Sequence, residues 1–446
     1  MLRLARPARL IACALLACAS ISAFAQTGPA ATTAPAAAPA ATPAAVSRYL
    51  TSEDALSQLL ALVDERLSLM PAVAAFKWQQ SAPIIDPPRE QAVIDRAVKL
   101  AAPLGLPAKV VRVFFELQIA GARALETHLT NEWRAQGFRY QGPIPDLAKD
   151  IRPRLDAITT EELRALYRLA PFVREKGFDK MFAREAPMRL HSDGWTAMSR
   201  DGLRTILAQL RIEPGSALVR LNAAGVIRIG TTGDYAPFSL EQEGRLSGVD
   251  IDLGRELAHT LGLEPVFIRT SWKTLLSDLK ASRFDVALSG ISATPARAAE
   301  AALSPAYYNG GKTMIARCAD AVKLGTLEVA DRQGIRFIVN PGGSNEQFAR
   351  EHLHAAALRV YSDNRTIFDE LIAGRADAMI TDDVEVALQT HRHPELCRTT
   401  PGTFTHDEKV ALIARDPALE ARVAGWMRSE AALGVPQRLL ETALSN

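Results

Sequence analysis

The run Val226-Ile227-Arg228-Ile229-Gly230 decides the fold of this chain. Its β-branched residues, closed by a glycine and followed by Thr231-Thr232-Gly233-Asp234, read as a strand ending in a turn. The same texture continues to the C-terminus. Helices are expected over 248–261 and 274–281, and strands over 265–269, 284–288, 313–316, 336–339, 359–361, 378–380 and 410–413. Strands alternating with helices indicate an α/β domain with largely parallel sheets. So many strands within residues 216–446 fit two sheets in two lobes better than one.

Upstream of that run, residues 48–202 show no β-alternation. Leu56, Leu59, Leu60, Val63 and Leu67 recur at helical spacing. Ser52 is the expected N-cap, with Glu53 and Asp54 suited to a first turn. A second helix is expected from Asp86, with Pro87 at its first position, ending near Pro103-Leu104-Gly105. A third follows Pro107 and runs to about Trp133. Others are expected over 156–167, around Met181 and over 199–210. The fold class is therefore multidomain, an all-α domain over 48–202 followed by a two-lobed α/β domain over 216–446.

The chain has 446 residues, too many for one ordinary core, and its 48% hydrophobic and 23% charged content is that of a globular protein. The net charge is +2, and no basic stripe interleaves with aromatics, so nucleic-acid binding has no support. Arg3, Arg6 and Arg9, the apolar run 10–19 and Ala23-Phe24-Ala25 form the ordered pattern of a secretory signal. The expectation is a signal peptide over 1–25, cleaved near Ala25, and a periplasmic protein with no membrane span after its removal. The apolar run is too short to cross a bilayer. Cys18 after Leu15-Leu16-Ala17 leaves a lipoprotein open. Residues 26–47 are an Ala/Pro-rich linker. Outside the signal only Cys318 and Cys397 remain, readable as one disulfide or as two buried free thiols; a bond needs Cα atoms within about 7 Å.

In the helical half the cations are unevenly placed. Arg66 and Lys77 are eleven residues apart, close to three helical turns, so one face can carry both. Pro71 between them is expected to kink that helix. Lys77 sits in the apolar stretch Ala74-Ala75-Phe76-Lys77-Trp78. Asp86 and Arg89 open the next helix, Gln118 and Glu126 share the third, and Arg152 precedes another. Singly, each reads as a solvated charge.

Together, Glu65-Arg66-Leu67, Val73-Ala74-Ala75-Phe76-Lys77-Trp78, Pro83-Ile84-Ile85-Asp86-Pro87-Pro88-Arg89, Gln118-Ile119 with Glu126, and Arg152-Pro153-Arg154-Leu155-Asp156 resemble the exported, gamma-subclass AroQ-type chorismate mutases. The resemblance spans about 48–202. It implies that Arg66, Arg89 and Arg152 meet the two carboxylates of chorismate, and that Lys77 and Glu126 face its ether oxygen and hydroxyl, with Asp86 and Gln118 in the same site. Ala122 departs from the pattern, standing where relatives often have a small polar residue. A Claisen rearrangement needs a folded dianion and a stabilised breaking ether, so arginine forks and a fixed cation suit it and no cofactor or metal is required. The resemblance also implies a homodimer through the helical domain.

In the α/β half, Thr232-Gly233-Asp234-Tyr235-Ala236-Pro237-Phe238, Gly248-Val249-Asp250-Ile251-Asp252-Leu253 and Gly290-Ile291-Ser292-Ala293-Thr294-Pro295-Ala296-Arg297 resemble polar amino-acid-binding proteins of the periplasmic type. That resemblance implies Arg297 as a carboxylate grip near Ser289 and Ser292, with Tyr235 and Trp272 as pocket walls. Asn340-Pro341-Gly342-Gly343-Ser344-Asn345-Glu346, Gly311-Lys312-Thr313, Ile380-Thr381-Asp382 and His393-Pro394-Glu395-Leu396-Cys397 resemble the cyclohexadienyl dehydratases. This second resemblance includes both cysteines, which supports their pairing. It implies a lyase acting on prephenate or arogenate. Glu346 is expected to be its general acid, and Lys312, Ser344, Asn345 and Asp382 to contact substrate. The chain then reads as a bifunctional enzyme from chorismate to phenylpyruvate or phenylalanine, the product of one half being the substrate of the other. The competing readings are a mutase fused to a non-catalytic solute-binding module and a two-module solute sensor.

Overall fold

The structure, a computed structural model, describes residues 47–445. The expected signal peptide and all but residue 47 of the expected linker lie outside the described residues. Among the described residues no helix is long and apolar enough to cross a membrane.

Thr51, not Ser52, caps the first helix. Its hydroxyl accepts from the Asp54 N–H while the Asp54 carboxylate answers the Thr51 backbone, a capping box that fixes where α1 (Ser52–Ser68) begins. Pro71 does more than kink the helix. It lies in the first turn of a new one, α2 (Met70–Gln79), where its missing N–H costs nothing. Asp86 caps α3 (Pro87–Ala101) by accepting from the Arg89 N–H, and Gly105 in the left-handed region closes the turn after it. Then follow α4 (Ala108–Gln136), α5 (Arg152–Leu169), α6 (Phe178–Arg189) and α7 (Ala197–Leu207). The apolar stripe Leu56, Leu59, Leu60, Val63 and Leu67 is fully buried against the other helices.

After α8 (Ala217–Ala224) the chain enters the first lobe. Its sheet is built from β1 (Val226–Thr231), β5 (Glu264–Arg269), β6 (Val286–Ala287), β7 (Ala302–Leu303) and β15 (Leu412–Ile413), in the order β5-β1-β6-β15-β7. A small hairpin sheet of β2 (Asp234–Tyr235), β3 (Ser239–Gln242) and β4 (Arg245–Ser247) flanks it, and α9 (Val249–Leu261) packs on it. The second lobe's sheet runs β11-β10-β12-β9-β13, from β9 (Lys312–Arg317), β10 (Arg336–Val339), β11 (Ala357–Val360), β12 (Ala378–Asp382) and β13 (Leu396–Arg398). A two-stranded ribbon, β8 (Tyr308–Gly310) with β14 (Asp407–Lys409), lies where the chain passes between the lobes.

Each sheet is mixed, not largely parallel. The inner β1 and β10 are flanked by parallel neighbours, but β15 pairs antiparallel with β6 and β9 antiparallel with β12. Those strands carry the chain into or back from the other lobe, which reverses their direction. Cys318 and Cys397 are disulfide-bonded, with Cα atoms 4.7 Å apart.

The helical half and the first lobe share one apolar core. Leu163, Leu166 and Tyr167 belong to the same buried cluster as Val226, Val266, Ile268 and Phe284. At its centre Arg228 is fully buried. It donates to Asp285 at 2.8 and 3.0 Å and stacks 4.4 Å from the centre of the Tyr167 ring. Removing either partner would strand a charge in an apolar junction.

Candidate active sites

The break between α1 and α2 keeps one face continuous. Val63, Arg66, Leu67, Met70, Val73 and Lys77 all line a cavity of about 180 Å³. The cavity is also lined by Phe115, Gln118, Ala122 and Glu126 from α4, by Asp86 and Arg89 at the start of α3, and by Arg152 at the start of α5. All seven residues expected from the sequence therefore meet at one site, and Ala122, the departing position, lines it too.

Its electrostatics are asymmetric. Lys77 Nζ donates to Glu126 Oε2 at 2.7 Å and to the Ile84 carbonyl at 2.9 Å. Burial pushes the Glu126 carboxyl up, while the Lys77 ammonium partly offsets this. The fork of Arg66 grips the fully buried Glu162 at 2.8–3.2 Å, donates to Thr159 at 2.6 Å, and packs over Phe115. Arg66 is thus rigid before any ligand arrives. Arg89 and Arg152 have no ion pair among the described residues. A dianion entering the cavity meets two pinned cations and two that lack a carboxylate.

The second site lies between the lobes, at the carboxyl ends of β1, β6, β10 and β12, the crevice where open α/β sheets gather ligands. Tyr235, Trp272, Gly290, Ser292 and Arg297 line it from the first lobe. Asn340, Ser344, Asn345, Asn364, Asp382 and Glu385 line it from the second, and Lys409 from the connecting ribbon. Only about 20 Å³ is open, little more than one water, so the lobes must part to admit a ring. Gly290 takes a positive φ of 64° there, and a Cβ would press into the rings of Tyr235 and Phe238.

Asp382 is the hub. Lys409 Nζ donates to its Oδ2 at 2.6 Å, the Tyr235 hydroxyl donates to the same oxygen, and Lys312 Nζ approaches Oδ1 at 3.2 Å. Burial alone would raise this carboxyl, but the two lysines outweigh it and hold it well below the usual carboxylate range. Glu385, one turn along the helix Asp383–Arg392, is the opposite case. Burial, opposed by the Thr381 hydroxyl and reinforced by the Asp382 charge, pushes it up to about 8. One cleft thus holds two carboxyls shifted in opposite directions, and the raised one is suited to keep a proton and give it up. Arg297 is buried and its guanidinium is lowered to about 10 by desolvation; its Nη1 donates to the Ser292 carbonyl at 2.6 Å.

Residues 57–127 match the family described as Chorismate mutase type II. Residues 227–393 match Bacterial extracellular solute-binding proteins, family 3. Over 228 residues, covering 51% of this chain and 85% of the relative, the sequence is 42% identical to the cyclohexadienyl dehydratase of Pseudomonas aeruginosa. The chain belongs to the cyclohexadienyl dehydratase family. It carries a type II chorismate mutase domain ahead of that dehydratase-like region. It is also 28% identical over 193 residues, 43% of this chain and 71% of the relative, to the L-cystine-binding protein TcyJ of Escherichia coli. Among solved structures, the ancestral amino acid-binding protein AncCDT-1, a precursor of cyclohexadienyl dehydratase, aligns with 51% of this chain and 100% of its own, at 31% identity and a TM-score of 0.48.

The structure places Glu346, expected from the sequence to be a general acid, elsewhere. Glu346 does not line the cleft. It folds back in the first turn of its own helix, where Oε2 accepts from the Gly342 N–H at 2.6 Å and Oε1 pairs with Arg350 at 2.7 Å. The Gly342 N–H, with help from Arg350, lowers its carboxyl below the ordinary glutamate value. An acid held ionised is a poor proton donor. Ser289 and Lys312 also stand behind the wall instead of in it. The Ser289 hydroxyl is taken up by Thr232 and Ser239. Lys312 Nζ is surrounded by Ser344, Asn345, Asp382 and Asp407. Tyr235, Trp272, Ser292, Arg297, Ser344, Asn345 and Asp382 do line the cleft. Glu385 and Lys409 line it as well, and no sequence motif marks either of them.

Proposed function

We propose that this chain is an exported bifunctional enzyme that rearranges chorismate to prephenate in the helical cavity and converts prephenate to phenylpyruvate, water and CO2 in the interlobe cleft. The observation that carries it is the buried Glu385, its carboxyl pushed up to about 8, lining the same cleft as Arg297 and Lys409. Solute capture has no use for a neutral acid there, whereas loss of a ring hydroxyl does. In the first step the dianion is held by Arg66, Arg89 and Arg152, which compress it toward a chair. Lys77 faces the ether oxygen as the C–O bond breaks and the new C–C bond forms. In the second, Arg297 and Lys409 take the substrate carboxylates. Glu385 gives its proton to the leaving hydroxyl, forming water, while the electron pair of the breaking C–CO2 bond enters the ring and aromatises it. No separate base is required.

Purified chain supplied with chorismate is expected to form phenylpyruvate, read as its absorbance in alkali. Accumulation of prephenate alone would refute the second activity. The cleft also favours prephenate over arogenate. Both Asp382 oxygens are already occupied and Glu385 is neutral, so the cleft offers an ammonium no free anionic partner. Leaving that charge unpaired supports a kcat/KM at least about ten-fold higher for prephenate. Equal or better turnover of arogenate in the same assay would overturn this reading.

A further inference from the structure

Residues 47–50 precede the helical domain yet belong to the first lobe. The Leu246 N–H donates to the Ser47 carbonyl at 2.8 Å, Arg255 Nε to the Ser47 hydroxyl at 2.8 Å, and the Leu50 N–H to the Phe267 carbonyl at 2.9 Å. Tyr49 bridges to Phe267 in parallel, so this strap runs along β5, the edge strand of the sheet. One residue later Thr51 caps α1, which leaves no slack between strap and bundle. The whole helical domain is thereby inserted between two pieces of the α/β lobe.

The Tyr49 side chain is buried and lies under the turn that follows β1. Its hydroxyl donates to the Thr231 carbonyl at 3.1 Å, and the Arg269 guanidinium stacks 4.1 Å from its ring centre. Gly233 passes so close, at φ 69°, that a Cβ would collide with the Tyr49 hydroxyl. The other side of this turn builds the cleft. The Thr232 N–H donates to Ser289 Oγ at 3.1 Å. The Asp234 carboxylate accepts from Trp272 Nε1 at 3.2 Å, and its carbonyl accepts from Asn364 Nδ2 of the second lobe at 2.8 Å. Tyr235, next in the chain, reaches Asp382. Cleft wall and lobe-closing contact therefore rest on residues 231–235, and those rest on Tyr49.

We propose that Tyr49 is a positioning residue of the dehydratase cleft, and that the strap ahead of the mutase domain sets how tightly the second site closes on its substrate. The kinetic side of this rests on the proposed prephenate dehydration. A strap that merely covers a sheet edge against unwanted pairing would affect stability and leave substrate affinity alone.

The test uses the full chain with Tyr49→Ala and Tyr49→Phe. Tyr49→Ala is expected to raise the KM for prephenate about ten-fold with kcat within about two-fold, because small displacements of positioning groups are costly. The mutase rate should be unchanged, since Tyr49 does not line the helical cavity. Tyr49→Phe keeps the ring and should stay within about three-fold of wild type. Amide exchange across residues 231–240 should quicken in Tyr49→Ala, and this readout holds even for a chain that proves to bind without turnover. If the alanine variant is insoluble, Tyr49→Leu is read in its place. A KM within two-fold of wild type with unchanged exchange overturns the proposal, as does a parallel fall of both activities in the variants.

Discussion

Glu385→Gln is expected to lower phenylpyruvate formation from prephenate by about 10³-fold while chorismate consumption stays within about two-fold, because positioned general acids contribute two to four orders of magnitude. The amide keeps the size of the carboxyl and can still accept from the Thr381 hydroxyl, so the cleft should hold together. What it lacks is a proton acidic enough to follow the departing hydroxyl. The pH profile gives a second readout. Glu385 is pushed up to about 8 mainly by burial, so the active form is the protonated one, present below that value and lost as pH rises through it. Dehydratase kcat/KM should therefore fall on the alkaline side near pH 8, and the residual activity of Glu385→Gln should lack that limb. The same raised value makes a stability statement. The folded state binds a proton that the unfolded chain releases at an ordinary glutamate pKa, so this group's contribution declines as pH rises from about 4.5 to 8. Glu346→Gln is the control. Its carboxylate serves Gly342 and Arg350, and dehydration should stay within about three-fold of wild type. A loss confined to Glu346→Gln would return the acid to the residue first expected from the sequence.

The reason Glu346 looked right and Glu385 did not is physical. Both stand in the first turn of a helix that follows a strand, where an acidic residue is favoured by the helix dipole, and both read alike at that level. Only the packing separates them. Glu346 finds an N–H donor and an arginine four residues on, and turns outward. Glu385 follows Asp382 by three residues and is carried under the opposite lobe. That is a tertiary fact, because Tyr235, Trp272 and Lys409, which line the cleft with it, are far away in the chain. Lys409 was hidden for the same reason: β14 is three residues long and exists only by pairing with β8. In the helical half the site was far more legible. Its side chains project from long helices whose faces follow from spacing alone, so Gln118, Ala122 and Glu126 fall in line along α4 and Arg66 with Lys77 stay on one face. Even the break at Pro71 preserved that face, because the second helix resumes almost at once. The strap at Tyr49 lay beyond reach, since four residues before a helix carry no periodicity to read.

Lys77→Ala is expected to lower mutase kcat/KM by about 10³-fold and to leave turnover of supplied prephenate within about two-fold, the cost typical of deleting one preorganised donor aimed at developing charge. The expectation rests on how Lys77 is held. Its ammonium is anchored by the Ile84 carbonyl and Glu126, so in the proposed rearrangement it would meet the breaking ether without reorganising. The alanine variant removes a cation and also strands Glu126, a carboxyl whose burial already favours its neutral form. Without the ammonium that partly offsets it, burial pushes the Glu126 carboxyl up further. Arg66, Arg89 and Arg152 remain, so under the proposed function chorismate should bind with a KM raised only a few-fold. The defect should therefore fall mainly on kcat. Arg89→Ala provides the contrast. That exposed cation at the cavity rim has no carboxylate partner among the described residues, and its loss should appear chiefly in KM. Should Lys77→Ala raise KM alone, with kcat preserved, Lys77 would be a substrate anchor, and the charge on the breaking ether would have to be met by Arg66 or Arg152.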